Sequence, residues 1–190
     1  MRDAGNQTIE TERLLLRPFE EKDAEDMLRN WAGDPNIQNE YGEPVYTDIT
    51  QVSELLRMYT DPESPKSRYR WAIIAKDSGE NIGQIAFCKV WEDCLTAEIE
   101  YCIGKSFWGH GYAGEALSAV IRYTFSFTDF TRLEAYHRLA NGKSGRVLEK
   151  SQMHITDTVQ RFVREGKVPE GEICYCIEKT NTIIERSCLL

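Results

Sequence analysis

The chain has 190 residues, of which 41% are hydrophobic and 28% charged, a composition typical of a folded domain rather than a disordered chain. Its formal net charge of -8 argues against nucleic acid or anionic lipid as partners, because both need a clustered basic face. No apolar run reaches the roughly 20 residues of a membrane span, and residues 1–11 lack the apolar core of a signal peptide. We therefore expect one cytoplasmic domain over residues 1–190 that binds neither nucleic acid nor membrane.

The first third of the chain predicts one strand and two helices. Residues 13–17 carry three consecutive leucines and predict a strand, and residues 24–31 predict a short amphipathic helix. Asp48 is a favourable N-cap for a second helix that runs through Met58. The inward face of this helix is formed by Val52, Leu55 and Leu56.

An antiparallel meander follows in the middle of the chain. Residues 69–76 and 82–90 are rich in β-formers, and the five residues between them, Asp-Ser-Gly-Glu-Asn, have the composition of a hairpin turn. Residues 95–103 predict the next strand. Because side chains alternate along a strand, this third strand carries two carboxylates, Glu98 and Glu100, on one face.

The second half of the chain predicts one long helix and a closing set of shorter elements. Apolar residues recur at i, i+3, i+4, i+7 and i+8 over residues 113–124, which is the pattern of a helix that packs on a sheet. Residues 133–137 predict a buried strand and residues 144–150 a short helix. Residues 155–163 and 173–177 predict a closing hairpin. The whole pattern predicts an α+β fold, mostly antiparallel, with one βαβ crossover.

The cysteines and histidines show neither disulfide nor metal-ligand spacing. The cysteines lie in apolar, strand-like contexts rather than in C-x-x-C pairs, so we expect reduced thiols and no metal site. The residues concerned are Cys88, Cys94, Cys102, Cys174, Cys176, Cys188, His110, His137 and His154.

A glycine-rich turn within residues 107–116 opens directly into the long predicted helix. Glycines have no Cβ and let successive backbone N–H groups converge on a phosphate, and a helix N-terminus adds about half a positive charge. Such a site needs no basic side chain, which suits an acidic protein. A turn with a purely structural role is the alternative interpretation.

The same turn contains the dinucleotide-binding pattern Gly109-x-Gly111-x-x-Gly114, and Glu134 stands 20 residues after the last glycine, where a ribose ligand is expected. Against this reading, residues 104–108 separate the predicted strand from the first glycine. The remaining chain is also too short for the further βαβ units of a dinucleotide fold.

Four segments in this order resemble the GNAT superfamily of acetyltransferases, and within it the RimJ/RimL-like branch. Residues 11–18 resemble the opening strand of the branch, residues 97–103 its fourth strand, and residues 141–150 its downstream helix. Residues 108–113 resemble the superfamily's (Arg/Gln)-x-x-Gly-x-(Gly/Ala) pyrophosphate loop. The resemblance implies an α+β fold in α/β/α layers, with a mixed, mostly antiparallel sheet of about seven strands splayed at one parallel pair and about four flanking helices.

The resemblance also implies acetyl-CoA as the acetyl donor and no metal. Pantetheine would lie between the strands at residues 95–103 and 133–137, with Asn141 and Ser144 near its sulfur end. Its amides would pair with the backbone of Tyr101, Cys102 and Ile103, and one backbone N–H would polarise the thioester carbonyl. The implied loop residues at the pyrophosphate are Trp108, Gly109, His110, Gly111, Tyr112, Ala113 and Gly114.

Direct transfer to an amine requires a base, because the acceptor is protonated at neutral pH. Glu98 is the first candidate and Glu100 the second, since relatives often carry a functional acid in this strand; an ordered water, or a merely solvated carboxylate, is the alternative. Leu148 stands where many relatives have a tyrosine that protonates the leaving thiolate. That role passes to Ser144, to water, or to no group at all.

The acceptor is expected to be a primary amine: a peptide or protein N-terminus, or a small molecule such as a polyamine or an aminoglycoside. Trp31, Tyr41 and Glu43 are the candidates to line its pocket, although aromatic residues in this region are as often core. A non-catalytic acyl-CoA-binding module and a dinucleotide-dependent oxidoreductase are the rival functions. Both a monomer and a homodimer fit the sequence.

Overall fold

The computed structural model describes residues 5–180. The strands are β1 (Ile9–Glu10), β2 (Leu14–Arg17), β3 (Arg70–Ala75), β4 (Asn81–Trp91), β5 (Thr96–Ile103), β6 (Arg132–Arg138), β7 (His154–Ile155) and β8 (Glu172–Glu178). The helices are α1 (Ala24–Met27), α2 (Pro35–Tyr41), α3 (Ile49–Thr60), α4 (Tyr112–Phe127), α5 (Gly142–Lys150) and α6 (Gln160–Glu165).

The strands form one mixed sheet with the hydrogen-bonding order β1-β2-β3-β4-β5-β6-β8-β7. The described residues contain one parallel pair, β5 with β6, and the β1–β2, β2–β3, β3–β4, β6–β8 and β7–β8 pairs are antiparallel. This confirms the α+β class and the single parallel pair. The described part of the chain has eight strands and six α-helices, more than the seven and four that were expected.

The chain divides into two compact units. We call residues 5–87 with 101–119 the N-terminal unit, and residues 88–100 with 120–180 the C-terminal unit. Strands β4 and β5 and helix α4 each contribute residues to both. No helix among the described residues is long and apolar enough to cross a membrane.

The N-terminal unit has an apolar core between its helices and β3. Helix α3 begins where Asp48 accepts hydrogen bonds from two backbone N–H groups, as predicted, and it buries Val52, Leu55 and Leu56. The predicted helix 24–31 continues from α1 into a π-helical turn, Leu28–Ala32, which packs Trp31 into the same core.

Helix α2 was not predicted, although the sequence contains its boundary signals. Asp34 accepts a hydrogen bond from the Asn36 N–H at 2.8 Å, Pro35 occupies the first turn, and Gly42 ends the helix in the left-handed region at φ 76°. These are an N-cap, a first-turn proline and a glycine C-cap.

The C-terminal unit is organised around β6. Strand β8 pairs with β6 along all seven residues of β6. Strand β5 pairs with the other edge of β6, through Thr96, Ala97 and Glu98. The prediction of a strand over residues 155–163 is wrong. Strand β7 ends at Ile155, and the Thr156 hydroxyl accepts a hydrogen bond from the Thr158 N–H at 3.2 Å, which turns the chain away from the sheet.

Helix α6 then replaces the rest of that predicted strand. The carboxylate of Glu134 accepts a hydrogen bond from the Gln160 N–H, at 2.7 Å, at the first residue of the helix. Gly166, at φ 65°, ends it. Because the side chain that supports the start of α6 lies 26 residues away, the sequence near residue 160 does not indicate that a helix begins there.

Candidate functional site

The glycine loop, which we define as residues 108–114, lies in the N-terminal unit; it follows β5 and includes the first residues of α4. A 3-10 turn, Lys105–Phe107, separates it from the end of the strand. Gly109 and Gly111 both have φ 84°, in the left-handed region that favours glycine. The Trp108 indole N–H donates to the Ile103 carbonyl at 2.7 Å, which ties the loop to the end of β5.

The loop presents open space to a ligand. A Cβ added at Gly109 or Gly114 would meet no described atom within 4 Å apart from adjoining backbone. The first N–H groups of α4 have no intrahelical partner, and its 16 residues provide a helix dipole whose positive end lies at the loop. This arrangement fits an anion such as a diphosphate. Because these two glycines have no side chain, a ligand can approach the backbone closely there.

The dinucleotide interpretation fails at its acidic residue. Glu134 is 1% exposed, and its carboxylate accepts hydrogen bonds from Arg132 Nε and from the Gln160 N–H, both at 2.7 Å. A buried carboxylate with both oxygens engaged is not available to a ribose hydroxyl.

Glu98 lies in the C-terminal unit and is 4% exposed. The Cys88 thiol donates to its Oε1 at 3.2 Å, and Arg161 Nε of helix α6 lies 3.7 Å from its Oε2. Burial raises the pKa of Glu98, and the Arg161 charge and the Cys88 hydrogen bond oppose the shift only in part. The alternative of a solvated surface acid does not hold for this residue.

Arg161 is the residue near Glu98 that sequence reasoning missed. Its guanidinium also pairs with Glu172 at 2.5 Å and lies 4.0 Å from the Tyr136 ring. Sequence reasoning missed this contact because it assigned residues 155–163 to a strand. Arg161 instead lies in helix α6, where it contacts Glu98. Glu100, the second candidate, is half-buried on the same strand.

Asn141 and Ser144 meet at the start of helix α5. The Asn141 side chain accepts a hydrogen bond from the Ser144 N–H at 3.3 Å, so Asn141 is the N-cap of this helix. Leu148 is 1% exposed and belongs to the core. Glu98, Glu100, Asn141 and Ser144 belong to the C-terminal unit, whereas the glycine loop and residues 101–103 belong to the N-terminal unit.

Two of the three candidate acceptor residues line one recess in the N-terminal unit. Trp31 and Glu43 both line a small recess that opens to solvent. Tyr41 ends helix α2, but its side chain lies outside the described part of the structure. Sequence reasoning missed the other lining residues, which are Ala32, Gln38, Tyr46, Leu55, Tyr59 and Gln84.

Metal-ligating side chains do not cluster among residues 5–180: no group of three or more His, Cys, Asp or Glu there is arranged to hold an ion. The five cysteines in this range carry free thiols, and Cys188 lies outside it.

Comparison with known proteins adds three findings. The family model described as "Acetyltransferase (GNAT) domain" matches residues 13–154. The uncharacterized N-acetyltransferase p20 of Bacillus licheniformis is 32% identical over 142 residues, which are 75% of this chain and 79% of that protein. A GNAT-family acetyltransferase from Bacillus anthracis superposes with a TM-score of 0.75 at 25% identity, covering 91% of this chain and 99% of the other.

A more distant structure has the same fold with a bound cofactor. RimL, a ribosomal alpha-N-protein acetyltransferase solved in complex with coenzyme A, superposes with a TM-score of 0.71 at 16% identity. The superposition covers 90% of this chain and 98% of that one.

Proposed function

The chain belongs to the GNAT acetyltransferase family, and we propose that it transfers the acetyl group of acetyl-CoA to a primary amine, with a peptide or protein N-terminal α-amine as the favoured acceptor. The observation that carries the proposal is the glycine loop: two glycines at φ 84° and an open approach at Gly109 and Gly114, where the loop runs into the first turn of a 16-residue helix. This combination fits the diphosphate of a coenzyme A molecule.

Acetyl-CoA, when bound, supplies the acetyl group as a thioester. The loop residues Gly109, His110, Gly111, Ala113 and Gly114 would hold its pyrophosphate, with Trp108 and Tyr112 as further candidate binding residues. The backbone of Tyr101, Cys102 and Ile103 would lie along the pantetheine arm. Asn141 and Ser144 are assigned to its sulfur end, where the capping bond between them keeps the start of α5 in place.

Glu98 is proposed as the general base, acting directly or through a water. The C–N bond forms as the C–S bond breaks, and Glu98 accepts the proton that the ammonium must lose before its nitrogen can attack. The second proton, which the nitrogen loses as the amide forms, balances the one that the leaving thiolate takes up. The pKa of Glu98 is raised above the ordinary glutamate value and so lies closer to neutral pH, which makes the carboxylate a stronger base. Glu100 is the second candidate for this role.

The leaving thiolate has Ser144 or water as its proton donor. Leu148, in the position where many relatives have a tyrosine, is buried and has no proton to give. A coenzyme A thiol is a tolerable leaving group, so the reaction does not depend on a dedicated acid.

The recess lined by Trp31, Glu43 and Tyr46 supports an amine as acceptor. A carboxylate with aromatic faces attracts an ammonium group by charge and by cation–π interaction. The RimL neighbour is described as an alpha-N-protein acetyltransferase, which supports the peptide amine as the favoured member of the class.

A thermal-shift titration with acetyl-CoA, coenzyme A and NADH tests the proposal, because a ligand that binds only the folded state raises Tm. We expect both coenzyme A species to raise Tm by about 5 to 10 °C at about 100 times Kd, and NADH to have no effect. A screen of peptide and small-molecule amines then follows, with Glu98→Gln expected to lower kcat by about 10²-fold or more.

Each rival function predicts a different result. A shift with NADH alone would favour an oxidoreductase. Binding of acetyl-CoA with neither acetyl transfer nor thioester hydrolysis would favour a non-catalytic acyl-CoA-binding module. The absence of any shift with acetyl-CoA would contradict the acetyltransferase proposal.

A further inference from the structure

Arg13, immediately before β2, contacts the glycine loop from the opening segment of the chain. Its Nη1 donates to the His110 carbonyl at 2.9 Å, and its guanidinium lies 4.9 Å from the centre of the Tyr112 ring. The His110 and Tyr112 rings stack on each other with centroids 5.7 Å apart. One cation therefore contacts the loop on both sides of Gly111.

Glu115, in the first turn of α4, holds the other side of the guanidinium. Arg13 Nε donates to its Oε2 at 2.7 Å, and Arg13 Nη2 lies 2.5 Å from the same oxygen. Its Oε1 accepts from the Thr11 hydroxyl at 2.6 Å and from the Arg13 backbone N–H at 2.9 Å. Burial raises the pKa of Glu115, but the hydrogen bonds from Thr11 and Arg13 outweigh burial and hold that pKa below its ordinary value.

The bond to His110 fixes the orientation of a peptide plane. The peptide group is planar and trans, so the carbonyl of His110 and the N–H of Gly111 point in opposite directions. With the carbonyl bound to Arg13, the Gly111 N–H is directed away from the guanidinium. Without this contact, glycines in the loop are free to sample several conformations, and ordering them costs conformational entropy.

The charges matter as much as the geometry. Residues 107–116 contain no Lys or Arg, so the loop itself has no cation to offset the carboxylate of Glu115. That carboxylate is favourable at a helix N-terminus but would repel a diphosphate bound at the same place. Arg13 neutralises it within hydrogen-bonding distance.

We propose that Arg13 is a positioning residue for the cofactor: it holds the glycine loop in one conformation and neutralises Glu115, so that the loop N–H groups can bind the diphosphate of a coenzyme A molecule. This inference rests on the proposed function. It assigns a role in cofactor binding to a residue that lies 97 positions before the loop residue it contacts.

The test compares Arg13→Met with Arg29→Met. Arg29 is also exposed and also pairs with carboxylates, those of Asp26 and Glu80, so the control removes the same charge elsewhere in the N-terminal unit. We expect Arg13→Met to raise the Kd of acetyl-CoA by about tenfold to hundredfold in calorimetry, and Arg29→Met to change it little. Ligand-observed NMR should give both variants a wild-type affinity for S-acetylpantetheine, which lacks the diphosphate.

Two further variants separate geometry from charge. Arg13→Lys keeps the charge but loses the planar fork that bonds His110 and Glu115 together, so we expect a partial loss of affinity. Arg13→Met with Glu115→Gln removes the uncompensated carboxylate, and it should bind acetyl-CoA about fivefold more tightly at low salt than Arg13→Met alone.

Hydrogen exchange of the ligand-free protein tests the loop directly. Amides in the peptide 107–116 should exchange about tenfold faster in Arg13→Met than in wild type or Arg29→Met. Unchanged exchange there, or an equal loss of affinity for acetyl-CoA and S-acetylpantetheine, would overturn the inference. Wild-type protein that binds no acetyl-CoA would instead overturn the proposed function, while the exchange result still decides whether Arg13 holds the loop.

Discussion

The carboxylate of Glu98 is ionised only at a cost, because it lies in the interior of the C-terminal unit with one arginine and one thiol as partners. The other titratable groups that bear on it are Lys89, which favours its charge, and Glu134, which opposes it. Removing the carboxylate should therefore affect stability as well as activity, and the two effects have different pH dependences.

Glu98→Gln should become more stable relative to wild type as pH rises. The pKa of Glu98 is raised in the folded state, so folded wild type binds more protons than unfolded wild type above the ordinary glutamate pKa of about 4.3. Wild type thus loses stability from about pH 4.3 up to the folded pKa, by about 1.4 kcal/mol for every tenfold difference in proton affinity. Urea unfolding of both proteins from pH 4 to 8 measures this difference.

Glu115→Gln is the matched control, with the opposite sign. The pKa of Glu115 is lowered in the folded state, so its carboxylate stabilises the fold above about pH 4.3 and this contribution is lost as pH falls toward the lowered pKa. The variant should be less stable than wild type at neutral pH. A Glu98→Gln difference that stays constant with pH would contradict the burial argument.

At the scale of secondary structure, the position of Asn141 and Ser144 depends on the cap of helix α5 and on the packing of this helix against β6. Helix α5 starts at its Asn141 cap and packs against His137 of β6. Gly145, inside this helix, lies close to that ring: a Cβ there would lie 2.7 Å from His137 Nε2 and 3.2 Å from its Cε1. His137 is 6% exposed, so its ring has little room to move.

Gly145→Ala should destabilise the protein by about 1 to 3 kcal/mol, because the methyl group overpacks the helix–sheet contact. Gly142→Ala, at the first residue of the same helix, should be neutral or stabilising by up to about 1 kcal/mol, since a Cβ there meets no described atom within 4 Å beyond adjoining backbone. Chemical denaturation of the two variants measures both signs. Equal effects at the two positions would show that helix propensity, and not contact with His137, decides the outcome.

At the scale of the whole molecule, the chain forms two compact units whose boundary runs through three continuous elements, β4, β5 and α4. An independent domain normally begins and ends in exposed linkers that few contacts cross. We therefore propose that residues 1–190 behave as a single domain, as the unbroken pattern of elements in the sequence predicts.

Thermal unfolding should accordingly show one transition. Either unit can unfold alone only by breaking two strands and a helix that continue into the other, so partial unfolding is costly. Calorimetry should give equal calorimetric and van't Hoff enthalpies, of about 130 kcal/mol near 60 °C for a chain of this length. Two resolved transitions would indicate independent domains.

The sequence by itself determined the elements whose signals are local. The Asp48 cap and the apolar stripe of α4 predicted two helices, and four motif segments in their order predicted the family. The anion site at the glycine pattern stays a prediction. Those signals lie within a few residues of the structure they specify, so periodicity, capping and glycine geometry suffice to recognise them.

Only the tertiary structure decided the partners that lie far apart in the chain. Helix α6 begins on a carboxylate 26 residues earlier, and its Arg161 pairs with the buried Glu98, for which the sequence left both a catalytic base and a solvated acid open. Arg13 and Glu115 are 102 residues apart. The physical reason is the same in each case. The sequence around a charged residue does not indicate which distant residue it will pair with, because only the folded chain brings the two together.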